Sequence, residues 1–413
     1  MLASVRKRLR EAQKEALPLE KAVARLLDVT EPLTTTETLP LLSAAGRVAA
    51  RDIFSSIDQP PFRRSPLDGY AFPAQSTQGA NKHKPARLQV VGEVFAGGFY
   101  QNHVHAGEAV KIMTGAPIPE GCDAVARIEE VKEQNGKVSL FTAFRENENI
   151  VPQGEDFHKG TCLVHRGTKI NTGHIALLAG AGFWGVEVYS MPRIFLATTG
   201  DELQSPGRAL CAGKIYNSNL YLLASLLRAM GFAPFVYGNL GDEAHEAAIS
   251  LREGNSCDIL LTTGGVSVGE RDIMHDTLSL LGATKLFWRV AMKPGAPLLA
   301  YRWEQSLGLA LSGNPFAAFA TFQMVVRPVL AHLAHREDLQ LRPVTGYLMD
   351  AFRKESAGRR FLRAHYEVNG EVHLSPHHAS GALSGLPETN ALVDIPAGTG
   401  TLAIGDTVHV LLL

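Results

Sequence analysis

The chain has 413 residues, with Lys+Arg 40 against Asp+Glu 41, a formal charge of −1 and a pI near 7.0. At roughly 150 residues per domain the length predicts two or three domains, and the charge balance excludes a global positive field that would collect nucleic acid or an anionic membrane. With 45% hydrophobic and 20% charged residues, the composition is that of an ordinary globular protein, not a disordered or fibrous one.

From the N-terminus, residues 1–29 form a charged helical pattern without the apolar core of a secretory signal, and Glu11, Glu15 and Glu20 argue against a transit peptide. Residues 50–150 read as short alternating runs (Leu88–Val91, Ala109–Ile112, Ala124–Ile128, Val138–Phe141) broken by Gly, Pro and Asn, the pattern of a small β-rich module. The most apolar stretch, Ile175–Val188, is broken by glycines and too short for the roughly 20 residues of a membrane span, so no transmembrane segment is expected. From Pro192 the pattern changes. Strands are predicted at Ile194–Thr198, Phe235–Tyr237, Asp258–Thr262, Phe287–Met292 and Leu309–Leu311, alternating with helices at Asn217–Met230, Glu243–Glu253, Asp272–Leu281 and Asn314–Leu333. Strands alternating with such helices predict a parallel sheet covered on both faces. Past Arg342, five alternating runs (Thr345–Leu348, Arg363–Glu367, Val372–Ser375, Ala391–Ile395, Asp406–Leu412) predict a small β-barrel or sandwich. The four cysteines, Cys122, Cys162, Cys211 and Cys257, form no C-x-x-C pair, which argues against a disulfide framework or a cysteine-rich zinc site and fits a reducing, cytoplasmic compartment.

One dinucleotide-like pattern, Gly180-Ala-Gly182-Phe-Trp-Gly185, has the wrong context: a helix-like run precedes it and a strand-like run follows, so a structural turn is expected. A P-loop, H-E-x-x-H and G-x-S-x-G are all absent. More informative is 262–272, TTGGVSVGERD, where an apolar strand ends in two hydroxyls and two glycines. Backbone N–H groups at Gly264 and Gly265, with Ser267, suit a phosphate, while Asp272 also reads simply as a helix N-cap. A second strand end, 198–203 (TTGDEL), puts a hydroxyl, Thr199, and two carboxylates, Asp201 and Glu202, at a similar height, and carboxylates beside a phosphate make sense chiefly around Mg²⁺. Lys293 in KPGAP offers one cation, and Ser312-Gly313-Asn314-Pro315 reads as a helix start with Asn314 as N-cap. In the β-rich part, Asp68 reads by default as an Asx-turn residue.

Together these segments resemble the molybdopterin molybdenumtransferase (MoeA) family, to which the E domain of gephyrin also belongs. The carriers are SPLDGYAF (65–72), IMTGAPIPEGCDAV (112–125), VPQGEDF (151–157), TTGDEL (198–203), KIYNSN (214–219), TTGGVSVGERD (262–272), KPGAP (293–297), SGNP (312–315) and Ser380 in HHASGALSGL. The resemblance implies a multidomain α/β plus β protein: a three-layer α/β/α, MogA-like molybdopterin-binding domain at 191–335, an inserted β-rich N-terminal domain at 53–148, a linker and dimerisation domain from 18–52 with 149–190, and a C-terminal β-barrel at 340–413. It implies a homodimer acting on adenylyl-molybdopterin and molybdate, with Mg²⁺-dependent release of AMP, and a molybdopterin adenylyltransferase as partner. By the match, Glu202, Asp242 and Asp272 form the acidic, metal-holding set, and Asp68, Thr114 and Asp156 add catalytic groups from the N-terminal half. Gly264, Gly265 and Ser267 would cradle the pterin phosphate, Lys293, Arg363 and Ser380 would line the molybdate site, and Thr199, Ser312 and Asn314 would be further substrate-binding residues.

This chain departs from the family pattern at Ala296, where many members carry a second lysine, and at Ser312, where many carry proline. The first removes a contact worth roughly 1–3 kcal/mol if desolvated, and a compensating hydrogen bond from Ser312 is one hypothesis. Two other classes of function compete: a non-catalytic molybdopterin-binding scaffold or carrier, and a CinA-related nucleotide pyrophosphatase on the same α/β domain. A tungstate-inserting paralogue is a variant of the enzymatic reading. The acidic positions favour catalysis over a scaffold, and SPLDGYAF with IMTGAP disfavours the pyrophosphatase.

Overall fold

The computed structural model describes residues 16–266 and 273–413. Two compact units are formed: Thr38–Val188 is one, and the segment ending at Glu37 with Tyr189–Leu413 is the other. Ser267 and Asp272, both expected in the site, lie outside the described residues.

In the Thr38–Val188 unit, a six-stranded mixed sheet runs in the order Ala124–Arg127, Gly69–Phe72, Glu108–Ile112, Ala86–Val94, Lys137–Leu140, Val131–Gln134. Period-two alternation divides its side chains between two cores: Tyr70, Phe72 and Ala126 enter one, Ala71, Val110 and Val125 the other. Elsewhere in this unit, helix Thr172–Gly180 starts with a capping box between Asn171 and His174. The glycine run after it is the expected turn into strand Gly185–Tyr189, where a Cβ on Gly185 would lie 2.6 Å from the Leu39 carbonyl oxygen. Close backbone approach accounts for that glycine.

In the other unit, strands β1 (Ile194–Thr198), β2 (Phe235–Asn239), β3 (Ile259–Thr263), β4 (Thr284–Trp288), β5 (Leu298–Trp303) and β6 (Ser306–Leu311) form a sheet in the order β2-β1-β3-β6-β5-β4. Alternate residues point to opposite layers. Ile194 and Leu196 pack with Leu223 and Phe319 of the helices on one face, and Phe195 and Ala197 with Leu251 and Met274 on the other, giving three layers. The all-parallel expectation is corrected: β2, β1, β3 and β6 are parallel, but β5 runs antiparallel to both β6 and β4. Strand β5 escaped notice because its hairpin to β6 turns at Glu304-Gln305 without a glycine, with Glu304 itself left-handed at φ 50°. Gly308 makes room there for the buried Tyr301 ring, since a Cβ would fall 2.0 Å from it. Strand β4 also ends at Trp288 rather than Met292, because Arg289 takes φ 80° and leaves the extended region.

The predicted helix from Asn314 to Leu333 is one helical run with a π turn at Phe322–Val326, between Pro315–Thr321 and Arg327–Leu333. Pro328 lacks the amide that would bond four residues back, and the widened turn falls where that bond is lost. Pro315–Leu333 is long and apolar enough to cross a membrane by composition, yet 83% of its span is buried inside this unit, as a core helix. The C-terminal strands close into a barrel in the order Arg342–Leu348, Glu371–Leu374, Arg360–Tyr366, Ala391–Ile395, Thr407–Leu412, filled by Leu348, Leu362, Val393 and Val410.

Candidate active site

A cavity of about 1450 Å³ opens along one edge of the β1–β6 sheet, where β1, β2, β3 and β6 end. Open α/β sheets bind ligands at this edge. Strand β4 runs in the same direction as β6, so its end, at Arg289, reaches the same edge from the far side of the sheet. Five strand gaps at about 4.8 Å each put β2 and β4 about 24 Å apart, long enough for an elongated ligand.

The middle of the cavity is a backbone cradle. Gly264 has φ 102°, and a Cβ there would lie 2.4 Å from the Thr199 carbonyl oxygen. One on Gly265 would lie 2.9 Å from Thr199 Oγ1. Only glycine lets the loops after β1 and β3 meet so closely. Thr199 Oγ1 is buried without a hydrogen-bond partner, a hydroxyl that a ligand oxygen would satisfy. Sequence reasoning missed the residue that fixes this geometry. Asn219 donates from Nδ2 to Thr263 Oγ1 (3.1 Å) and to the Gly313 carbonyl (2.8 Å), while Thr263 Oγ1 donates to the Ser312 carbonyl (2.8 Å). Asn217 likewise donates to Thr198 Oγ1 (2.8 Å) and caps helix Ser218–Ala229 through Leu220 N. An N-S-N run at a helix start was the available signal.

On the β1 and β2 side the lining is acidic. The Glu202 carboxylate folds over Gly200, and Asp242 Oδ2 accepts from the Asp201 amide (3.0 Å) while Asp201 Oδ1 accepts from the Asp242 amide (3.2 Å). Neither Glu202 nor Asp242 has a cationic side chain within 4.0 Å among the described residues. These are hard oxygen donors from adjacent strand ends without a counter-ion among the described residues, the donor set that suits Mg²⁺. The residues present therefore fit that ion.

On the β4 side the lining is cationic. Lys293 presents an exposed side chain, and its loop is hooked to the barrel by Lys293 N to the Arg359 carbonyl (2.9 Å) and Phe361 N to the Lys293 carbonyl (2.8 Å). Ser312 lines the cavity, and its Oγ accepts from Asn314 N at 3.4 Å. Asn314 stands at the expected N-cap position before Pro315, but its side chain makes no capping bond. Ser380 also lines the cavity, and its carbonyl accepts from Phe316 N (2.9 Å).

Arg363, also expected at the molybdate site, is buried. It is 1% exposed and absent from the lining. Its guanidinium donates to the carbonyls of His377, Ala379 and Ala382 and lies 4.2 Å from the Phe316 ring centre. These bonds tie it to the loop that carries Ser380. Arg359 is a lining cation that sequence reasoning missed, paired through two nitrogens with Asp394 (2.9 and 2.7 Å) and also with Glu20. The Arg359 guanidinium beside Glu20 holds that carboxyl below its ordinary pKa.

Asp68, Thr114 and Asp156 belong to the Thr38–Val188 unit. Asp68 is not an Asx-turn residue: its Oδ1 accepts from both the amide and the hydroxyl of Thr114, each at 2.7 Å. Ser65 makes the local turn instead, accepting at Oγ from Leu67 N. The Thr114 amide and then its hydroxyl hold the Asp68 carboxyl below its usual range. The SPLDG and MTGAP segments are thus one structure, joined also by Ser65 N to the Ala116 carbonyl and Gly115 N to the Ser65 carbonyl. Asp156 sits on another turn, its amide donating to the Gln59 carbonyl. Asp52, Cys162 and His165 form a close donor cluster in this unit, none of them a residue expected in the site.

Three family models match the chain in succession: "MoeA N-terminal region (domain I and II)" over residues 17–182, "Probable molybdopterin binding domain" over 196–332 and "MoeA C-terminal region (domain IV)" over 345–413. A Bacillus subtilis (strain 168) protein named molybdopterin molybdenumtransferase is 35% identical over 406 residues, covering 96% of this chain and 94% of its own length. A Haemophilus influenzae protein of the same name is 32% identical over 401 residues, covering 95% and 98%. A solved structure, the molybdopterin biosynthesis MoeA protein from Pyrococcus horikoshii, superposes with a TM-score of 0.85 at 28% identity, covering 96% of this chain and 99% of that one. Identity above 30% across nearly the whole length, on the same architecture, is decisive: the chain belongs to the molybdopterin molybdenumtransferase (MoeA) family of molybdenum cofactor biosynthesis.

Proposed function

We propose that the protein takes adenylyl-molybdopterin and molybdate as substrates, hydrolyses the adenylate in a Mg²⁺-dependent step that releases AMP, and sets molybdenum on the pterin dithiolene. The observation that carries this reading is the division of charge along one sheet edge, with Glu202 and Asp242 towards β2 and Lys293 beyond β6. A phosphoanhydride needs neutralisation and an aligned nucleophile, whereas an oxyanion needs a cation, and the cavity offers these in different places.

In this reading Glu202 and Asp242, with Asp272, hold Mg²⁺, which when bound supplies charge neutralisation for the phosphoanhydride. Thr199 donates its free hydroxyl to a phosphate oxygen, and Gly264 and Gly265, with Ser267, allow backbone amides to approach that phosphate. Lys293 and Ser312 orient molybdate, and Ser380 closes that end, held in place through its loop by Arg363. Asp68, Thr114 and Asp156 complete the catalytic groups from the partner subunit of a homodimer. The proposed domains are 18–52 with 149–190, 53–148, 191–335 and 340–413. A cytoplasmic location and a molybdopterin adenylyltransferase that supplies the substrate belong to the same reading.

The test is to incubate the purified protein with adenylyl-molybdopterin, molybdate and Mg²⁺ and to follow AMP. AMP release that stops when EDTA replaces Mg²⁺ is the expected result. Tight pterin binding without AMP release would instead favour a non-catalytic carrier.

A further inference from the structure

Four arginines are buried among the described residues: Arg289, Arg327, Arg336 and Arg363. Three have partners. Arg327 donates to the Leu339 carbonyl and Gln323 Oε1, Arg336 pairs with Asp338 through two nitrogens, and Arg363 holds three carbonyls. Arg289, 7% exposed, has no side-chain hydrogen bond or ion pair among the described residues, and its Nε is sealed from solvent without a partner. Its one charge-related contact is the face of the neighbouring Trp288, 5.6 Å from the ring centre. Burial alone lowers its pKa from the ordinary value, and no carboxylate offsets that cost.

Two further facts describe its setting. Arg289 lines the cavity at the end of β4. It is also held in the left-handed region at φ 80°, unusual for a side chain of this size. Its amide donates to the Leu298 carbonyl (2.8 Å), its carbonyl accepts from Leu17 N (3.2 Å), and Val290 N donates to the Ala296 carbonyl (2.9 Å). The strained residue is thus pinned on both sides against the Lys293–Pro297 loop. Of the three cations lining the cavity among the described residues, Arg359 is neutralised by Asp394 and Glu20, and Lys293 is exposed to solvent, which leaves Arg289 as the buried one without a described counter-charge.

We propose that Arg289 is an oxyanion-binding residue at the β4 end of the cavity, its planar guanidinium holding two oxygens of a tetrahedral oxyanion. Guanidinium geometry matches such a pair of oxygens better than an ammonium does. This inference rests on the functional reading above and adds to it a residue with a binding role. The oxyanion has two possible sources, free molybdate or the phosphate of the pterin substrate.

The test compares wild type with Arg289→Met and Arg289→Lys, using titration calorimetry and thermal unfolding, with sodium molybdate and inorganic phosphate as separate probes and no pterin. Without oxyanion, Arg289→Met should unfold about 2–4 °C higher than wild type, because an unpaired buried charge is replaced by an apolar group of similar length. Its molybdate affinity should fall at least tenfold, with Arg289→Lys in between. A loss confined to phosphate would assign the pterin phosphate as the occupant. Affinity for both probes within twofold of wild type in Arg289→Met, or no binding of either probe to wild type, overturns the proposal. Because AMP release is measured separately, failure here leaves the hydrolytic reading standing, and loss of AMP release in wild type would overturn that reading alone.

Discussion

The two sides of the cavity solve opposite problems with the same device, a charged group left without its usual partner. Among the described residues, Glu202 and Asp242 towards β2 have no paired cation, and Arg289 and Lys293 beyond β6 have no paired carboxylate. Nearby groups of the same kinds have partners, Arg359 with Asp394 and Glu20, and Arg363 with three carbonyls through its two terminal nitrogens, although its Nε is also buried without one. On the proposed function, the difference separates residues that build the site from those that would face its ligand. A paired charge supports structure, and an unpaired one at a cavity wall is available for binding.

Substitutions can sharpen that contrast. The largest expected effect is on catalysis: Glu202→Gln or Asp242→Asn should lower AMP release roughly 10²-fold or more by removing charge opposite the phosphates, with circular dichroism unchanged. Next is a loss of stability at Arg363. Arg363→Met removes the donor to three carbonyls and should cost about 2–4 kcal/mol in urea unfolding, the opposite sign to Arg289→Met. An increase in stability would show that Arg363 is not structural. Gly264→Ala should cost about 1–3 kcal/mol, since its Cβ would fall 2.4 Å from the Thr199 carbonyl oxygen at φ 102°.

The smallest effect concerns pH. Asp68 has its folded pKa depressed by Thr114, so its contribution to stability is present above its unfolded pKa of about 3.9 and is lost as pH falls through the lower folded value. Asp68→Asn should therefore lower the melting temperature slightly at pH 7 and not at all once the wild-type carboxyl is protonated. A difference between the two proteins that grows as pH falls would contradict the Asp68–Thr114 assignment.

Much of this was legible from local sequence. Strand ends followed by TTG and TTGG mark the cradle because an apolar run stops where small residues let two loops touch, and Thr199 and Gly264 do meet. The β5–β6 hairpin was not legible, since Glu304 supplies the left-handed turn usually given to glycine or asparagine. Arg363 and Arg289 could not be told apart from sequence. Both are arginines next to apolar strands, and whether a guanidinium finds carbonyls or a cavity depends on residues distant in the chain. Arg363 is held by residues 377–382, which come back over Phe316, whereas Arg289 has no side-chain hydrogen bond among the described residues and lies against the ring of its neighbour Trp288. The Asx-turn reading of Asp68 failed for the same reason, since its partner Thr114 lies 46 residues away.

The central claim is that the two sides of the cavity do separable work, and one paired measurement tests it most directly. Glu202→Gln and Lys293→Met are each assayed for AMP release from adenylyl-molybdopterin and for molybdate affinity. The expected result is a division: Glu202→Gln loses AMP release and keeps its molybdate affinity within twofold, while Lys293→Met loses molybdate affinity about tenfold, as for a lost charge-assisted contact. Parallel losses of both properties in both variants would contradict it.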